Sequence, residues 1–266
     1  MIPNSFGSRL RWWRVRRSLL QLALAGAAGT TQRHLSFLES GRTQPSREMV
    51  LRLADALDVP LRQRNALLLA AGFAPMWRES DLSAPELEMV NQALEHMLAQ
   101  QEPFPAIVVD RHWNLLRANR GAGYLTEFLN GVSPAAPVSA QPVNIAEWLM
   151  SPRLRPVLVN WQEVAIQFLR GVQTDAATDG TQQTADLLQR LLAYPGVPDL
   201  SQVPTIEEPP APVLAMHFQK GETALRLFTT ITTLGTPQDV TVQELRIECF
   251  FPTDEATSQI FKDWAA

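Results

Sequence analysis

The chain has 266 residues, 45% of them apolar and 19% charged, which is enough to bury a sizeable core and excludes a disordered or fibrous chain. One cysteine makes no internal disulfide, and no Cys/His group has metal-ligand spacing, so the expectation is a reducing cytoplasm, no structural zinc and two ordinary domains. Arginines 9, 11, 14, 16 and 17 are interleaved with Trp12 and Trp13, and no long apolar run follows, which reads as a protein neither exported nor membrane-spanning.

The net charge of −4 is unevenly split. Residues 1–80 hold 12 arginines against five acids, whereas residues 81–266 hold 11 basic and 22 acidic side chains. Such asymmetry marks a nucleic-acid-binding module joined to a part that does not bind nucleic acid. Only Lys220 and Lys262 among the 23 basic residues are lysine. Arginine's planar fork suits phosphate and guanine, and a genome rich in G and C gives the same bias through codon usage.

The first 70 or so residues read as five short helices. Phe6, Leu10 and Trp13 share a face of the first. The second runs from about Leu20 to Ala28 and stops at Gly29; Thr30-Thr31 opens the third, with Leu35 and Leu38 inward and Gly41 closing it. Pro45-Ser46 starts the fourth, with Met49, Leu53 and Leu57 as its stripe, and Leu61 to Ala71 is the fifth. A polar hinge near 78–84 leads to a helix from Pro85 to about Gln100. Its stripe of Leu87, Val90, Leu94, Met97 and Leu98 packs either on the second domain or on another subunit.

Beyond Pro103 and Pro105 the period changes. Ile107–Val109 and Trp113–Asn119 read as a strand pair around Asp110-Arg111-His112, and helices follow at 145–150, 158–170 and 184–193. Val213–Gln219 is a strand; Leu225, Leu227, Thr229 and Ile231 alternate on the next, and Leu245, Ile247, Cys249 and Phe251 on a third, before a closing helix from Glu255 to Trp264. Pro-rich stretches at 133–142 and 203–212 read as loops. The expected fold is an all-α five-helix DNA-binding domain followed by an α+β domain with an antiparallel sheet of about five strands and helices clustered on one side. The expected boundaries are 1–78, a linker helix at 79–102, and 103–266.

Within Gln21–Glu39 the spacing of Leu24, Ala25, Gly29, Leu35 and Leu38 is that of a helix-turn-helix. The run Gly29-Thr30-Thr31-Gln32-Arg33-His34-Leu35 through Leu38-Glu39-Ser40-Gly41-Arg42-Thr43, continued by Arg52-Leu53-Ala54-Asp55-Ala56-Leu57, resembles the Xre family of bacterial and phage repressor-like regulators. Carried over by position, Gln32, Arg33 and Phe37 project into the major groove of double-stranded DNA. Gln pairs with adenine, Arg with guanine, and Phe meets a thymine methyl. Thr31 caps the recognition helix near phosphate, and Gln21, Arg42 and Thr43 hold the backbone. The competing reading of these side chains is a solvated helix face. A head of this kind reads one half-site, so a homodimer is expected on DNA.

The continuation Leu61-Arg62-Gln63-Arg64-Asn65-Ala66-Leu67-Leu68-Leu69-Ala70-Ala71-Gly72-Phe73-Ala74-Pro75, the order Pro105, Ile107, Val109, Asp110, Trp113, Asn119, and the stretch from Trp161-Gln162-Glu163 to Phe168-Leu169-Arg170 are similar to regulators with an MmyB-like, PAS-like ligand-binding domain. Tyr194-Pro195-Gly196-Val197-Pro198 stands where the family carries an arginine- and histidine-containing segment. The resemblance implies a small apolar ligand like a fatty acid and no other cofactor.

The residues themselves leave two readings of the helical middle open. Trp148, Trp161 and Phe168 either fill a core or wall an apolar cavity against the sheet. Arg226, on the strand face of Phe228, and His217, between Met216 and Phe218, either meet a carboxylate head or face solvent. No Ser/His/Asp order, phosphate loop or carboxylate pair stands out, and Cys249 alternates with apolar residues, so an enzyme is not expected. The alternatives carried are a DNA-binding head fused to an enzyme domain and one fused to a ligand-free dimerisation or partner-binding domain.

Overall fold

Local capping chemistry builds the first five helices: α1 (Phe6–Arg16), α2 (Gln21–Ala27), α3 (Gln32–Glu39), α4 (Arg47–Ala56) and α5 (Leu61–Ala70). Side chains of Ser5, Thr31 and Ser46 accept the N–H of the residue three further on, in Ser8, His34 and Met49, satisfying donors that a helix start leaves free. The computed structural model describes residues 4–131, 143–201 and 212–266. The Pro-rich stretches expected as loops lie outside the described residues, save residue 212.

Gly29 makes the turn from α2 to α3 with φ of 65°. Its N–H reaches Gly26 at 3.2 Å and that of Thr30 reaches Ala25 at 2.8 Å, the paired bonds of a helix end whose left-handed residue is easiest for glycine. Trp13, Leu10, Leu24, Leu35, Leu38 and Leu53 are fully buried in one core. A Cβ on Gly7 would lie 2.4 Å from the Leu38 carbonyl oxygen, so α1 lies directly on the last turn of α3. This compact unit takes in residues 1–80 together with 179–181 and 236–243. Within it the Gln243 side-chain oxygen accepts from the Leu61 N–H at 2.7 Å, and Asp239 accepts from the Ser80 N–H at 3.2 Å.

The second unit is built on five strands: β1 (Ala106–Val109), β2 (Leu115–Ala118), β3 (Ala215–Lys220), β4 (Thr223–Thr232) and β5 (Arg246–Pro252). Their order is β2-β1-β5-β4-β3, with every neighbouring pair antiparallel. One face carries α7 (Arg120–Asn130), α8 (Ile145–Met150), α9 (Trp161–Asp179), α10 (Gln182–Leu192) and α12 (Glu255–Ala265), around a core that includes Trp113, Leu125, Met150, Trp161, Leu169 and Phe261. The helix expected as a linker, α6 (Glu88–Gln100), belongs to this unit instead. Its Leu94 and Leu98 bury against Ala106, Val108, Leu245 and Ile247 on the opposite face of the sheet, so helices cover both faces rather than one. The α6 stripe thus packs inside its own chain. Two helices went unforeseen: α7, and the short α11 (Val240–Glu244).

Two polar side chains fasten the first strand pair. Asn119 caps α7 at the Ala122 N–H, accepts the Ala106 N–H at 2.9 Å, and donates to the Phe104 carbonyl at 2.8 Å. Asp110 accepts from the N–H groups of His112 and Asn114 at 2.8 and 2.9 Å. That turn holds Trp113 at φ of 65° and presents its ring to the helical layer.

Candidate nucleic-acid interface and ligand cavity

In the first unit, α3 buries Leu35 and Leu38 and leaves Gln32 and Arg33 exposed and Phe37 half-buried. Arg33 and Phe37 are four residues apart and so share a face. The Arg33 guanidinium sits 5.4 Å from the Phe37 ring centre and that of Arg42, just past the helix, 5.8 Å. The aromatic ring thus steadies two cations at one end of an exposed helix face. Thr31 caps this helix by accepting from His34 N–H at 3.1 Å, which leaves further α3 amides at that end for an anion. Arg42 is exposed and Thr43 half-buried.

Gln21 has a side-chain partner that the sequence reading did not include. Its Nε2 donates to Glu39 Oε2 at 2.8 Å, while Arg14 grips both oxygens of the same carboxylate, at 2.6 and 3.0 Å. Glu39, at the last residue of α3, therefore binds α1, α2 and α3 together. Neither Arg14 nor Glu39 was singled out from the sequence, because a pair separated by 25 positions leaves no local pattern.

In the second unit a cavity of about 400 Å³ opens between the sheet and α7–α9. Of the residues proposed from sequence, Trp148 and Phe168 line it. Trp161 does not: it is buried beside the cavity, its indole N–H donating to the Leu149 carbonyl at 2.8 Å. His217, Arg226 and Phe228 also fall outside the wall. Their neighbours Met216, Phe218 and Thr229 line it, and side chains alternate along a strand, so these three face the other side of the sheet. His217 and Arg226 are exposed there, and Phe228 stacks on Phe251 with ring centres 5.4 Å apart.

The polar residue that sequence reasoning missed is Glu248. It is paired across the sheet with Ile107 and Ile231, and all three line the cavity. Among the described lining residues it is the one titratable side chain. Burial pushes its carboxyl up to about 7 against opposing pulls from the Thr229 hydroxyl, which hydrogen-bonds to it, and from the Arg246 charge. Arg246 itself is engaged by Asp175 at 2.7 Å and stands over the Trp113 ring, 5.4 Å from its centre. The Trp113 indole N–H is buried without a hydrogen-bond partner.

Comparison with known families meets this geometry at both ends. Residues 5–67 match a helix-turn-helix domain, and residues 90–263, well over half the chain, match the MmyB-like transcription regulator ligand binding domain. The chain belongs to the MmyB-like transcription regulators. No curated protein matches it. As an MmyB-like regulator it is a DNA-binding protein with a small-molecule-binding domain, and both matches are to parts of a transcription regulator rather than an enzyme. No helix among the described residues of this MmyB-like regulator is long and apolar enough to cross a membrane. No group of three or more His, Cys, Asp or Glu among them could hold a metal ion.

Proposed function

We propose that this regulator binds a two-fold operator as a homodimer, reading bases with Gln32, Arg33 and Phe37, and that an apolar ligand in the second unit's cavity sets its state. Gln21, Thr31, Arg42 and Thr43 hold phosphate, with Gln21 steadied by Glu39. The observation that carries the DNA half is a helix face with Gln32 and Arg33 exposed and Phe37 half-buried beside them, its opposite face locked by Leu35 and Leu38. One such helix spans only a few base pairs, which is why two copies about one helical turn apart are needed for specificity.

For the ligand half, the apolar lining of the cavity, with Trp148 and Phe168 in it, supports an elongated apolar body of the fatty-acid kind. The carboxylate end expected from sequence loses Arg226 and His217, which lie on the other side of the sheet, so the proposal is kept to the apolar body. Selection of bound duplexes from a random pool by the full chain tests the DNA half: the expected result is an enriched palindrome occupied by two copies. Enrichment of a single half-site bound by one copy would remove the homodimer.

A further inference from the structure

Resting on the cavity as the ligand site, we infer that the ligand is a hydrophobic amine, its cationic nitrogen held by the Glu248 carboxylate against an aromatic wall. Three observations combine. Glu248 is the sole titratable group among the described lining residues, set in a wall otherwise made mostly of apolar side chains. The lining carries the rings of Trp113, Trp148, Phe168, Phe218 and Phe250, whose π faces attract cations and repel anions. The nearest cation on the same strand, Arg246, is committed to Asp175 at 2.7 Å and does not line the cavity. An ammonium beside Glu248 supplies the counter-charge that the wall lacks and satisfies a carboxylate otherwise costly to ionise there.

A ligand carboxylate fits the same groups less well. No described lining residue offers it a cation, and it would survive only by keeping Glu248 protonated, so that Glu248 and the Trp113 N–H donate to it together. The two ligands therefore respond oppositely to pH. Beside Glu248 stand Arg246 and the Cys249 thiol on β5, Thr229 on β4 and Ile107 on β1, with Asp175 holding Arg246, and the helices contribute Gln167 and Thr126 to the same lining. Burial and the Glu248 charge hold the Cys249 thiol above its ordinary value, so between pH 6 and 8 the titrating group of this set is Glu248.

The test is calorimetric titration of the full chain with octylamine, octanol and octanoate at pH 6 and pH 8, repeated on Glu248→Gln. The amine stays protonated throughout, so its affinity should rise about tenfold from pH 6 to pH 8 as Glu248 ionises, and exceed that of octanol at pH 8. In Glu248→Gln both the rise and the preference should vanish. Octanoate binding tightest and weakening as pH rises would overturn the inference in favour of the carboxylate. Equal, pH-independent affinity for octylamine and octanol would overturn it while leaving the cavity as the ligand site. Failure of all three to bind would overturn both. If Glu248→Gln does not fold, the direction of the wild-type pH dependence still separates amine from carboxylate.

Discussion

Arg14 and Glu39 meet in a two-pronged pair, Nε to Oε1 at 2.6 Å and Nη2 to Oε2 at 3.0 Å, with both side chains nearly withdrawn from water. Gln21 donates to the same carboxylate. Removing one partner of such a pair strands the other charge, at a cost of about 3 kcal/mol or more, whereas replacing both with apolar residues of similar volume is far milder. Glu39→Ala should therefore lower the thermal midpoint of the first unit strongly, and Arg14→Met with Glu39→Leu should recover most of the loss. Because Glu39 also fixes the end of α3 against α1 and α2, Glu39→Ala should weaken operator binding even below its melting range. Calorimetry and fluorescence anisotropy on the same samples check both parts.

Arg33 and Arg42 share the Phe37 ring yet belong to different parts of the proposed interface, one inside the recognition helix and one past its end. Arg33→Ala should cost about 1–3 kcal/mol on the selected operator and relax preference at one base pair, while Arg42→Ala should weaken all sequences alike and flatten the salt dependence by roughly one charge. Phe37→Ala frees both guanidinium groups and should show both effects in milder form. Equal loss on operator and scrambled duplex for all three variants would remove the base-reading role.

What was legible in the sequence is what is local. The caps at Thr31 and Ser46, the turn at Gly29, and the Leu35 and Leu38 stripe are set by neighbours a few residues away, so α1 to α5 and their inward faces follow from spacing. The alternation of Leu225, Leu227, Thr229 and Ile231 is likewise present in β4, and Thr229 and Ile231 do reach the cavity. Alternation cannot say which side of a sheet holds the ligand when helices cover both sides. On β5 the apolar set of Ile247, Cys249 and Phe251 faces away from the cavity, with Ile247 and Cys249 against α6. The alternate set, with Glu248 and Phe250, faces the cavity. On β3 and β4 the apolar alternation does face the cavity, so His217 and Arg226, one position out of step with it, face away. α7 was missed because its start depends on Asn119, which reads as a strand end and whose bonds run to Ala106 and Phe104 as well as to Ala122.

Gly7 and Gly26 form a matched pair for testing how closely α1 sits on α3. A Cβ at Gly7 would fall 2.4 Å from the Leu38 carbonyl oxygen and 2.6 Å from that of Glu39, whereas one at Gly26 meets nothing within 4 Å. Gly7→Ala should destabilise the first unit by about 1–3 kcal/mol, the usual cost of forcing atoms into a packed contact. Gly26→Ala should be neutral or stabilise by up to about 1 kcal/mol, since alanine is the better helix former. Thermal unfolding followed by circular dichroism gives both signs, and a stable Gly7→Ala variant would mean that the two helices stand further apart.

Glu248 should leave a signature in stability as well as in binding. In the unfolded chain its carboxyl titrates near 4.5, and in the folded chain burial raises this to about 7. Below both values the group is neutral in either state and costs nothing. As pH rises from about 4.5 to 7 the unfolded chain loses its proton first, so folding is progressively penalised, and above 7 the full penalty of an ionised buried carboxyl stands. A shift of that size corresponds to at most about 3 kcal/mol. Asp254, held below its ordinary value chiefly by the Thr257 N–H, acts with the opposite sign and at lower pH, so the two do not overlap. The wild-type chain should thus lose stability from pH 5 to pH 7 relative to Glu248→Gln, with the difference flat above that. Urea denaturation of both proteins across this range measures the difference directly. Parallel curves would mean that Glu248 is solvated as freely in the fold as out of it, and the cavity would then have no buried carboxyl to offer a ligand.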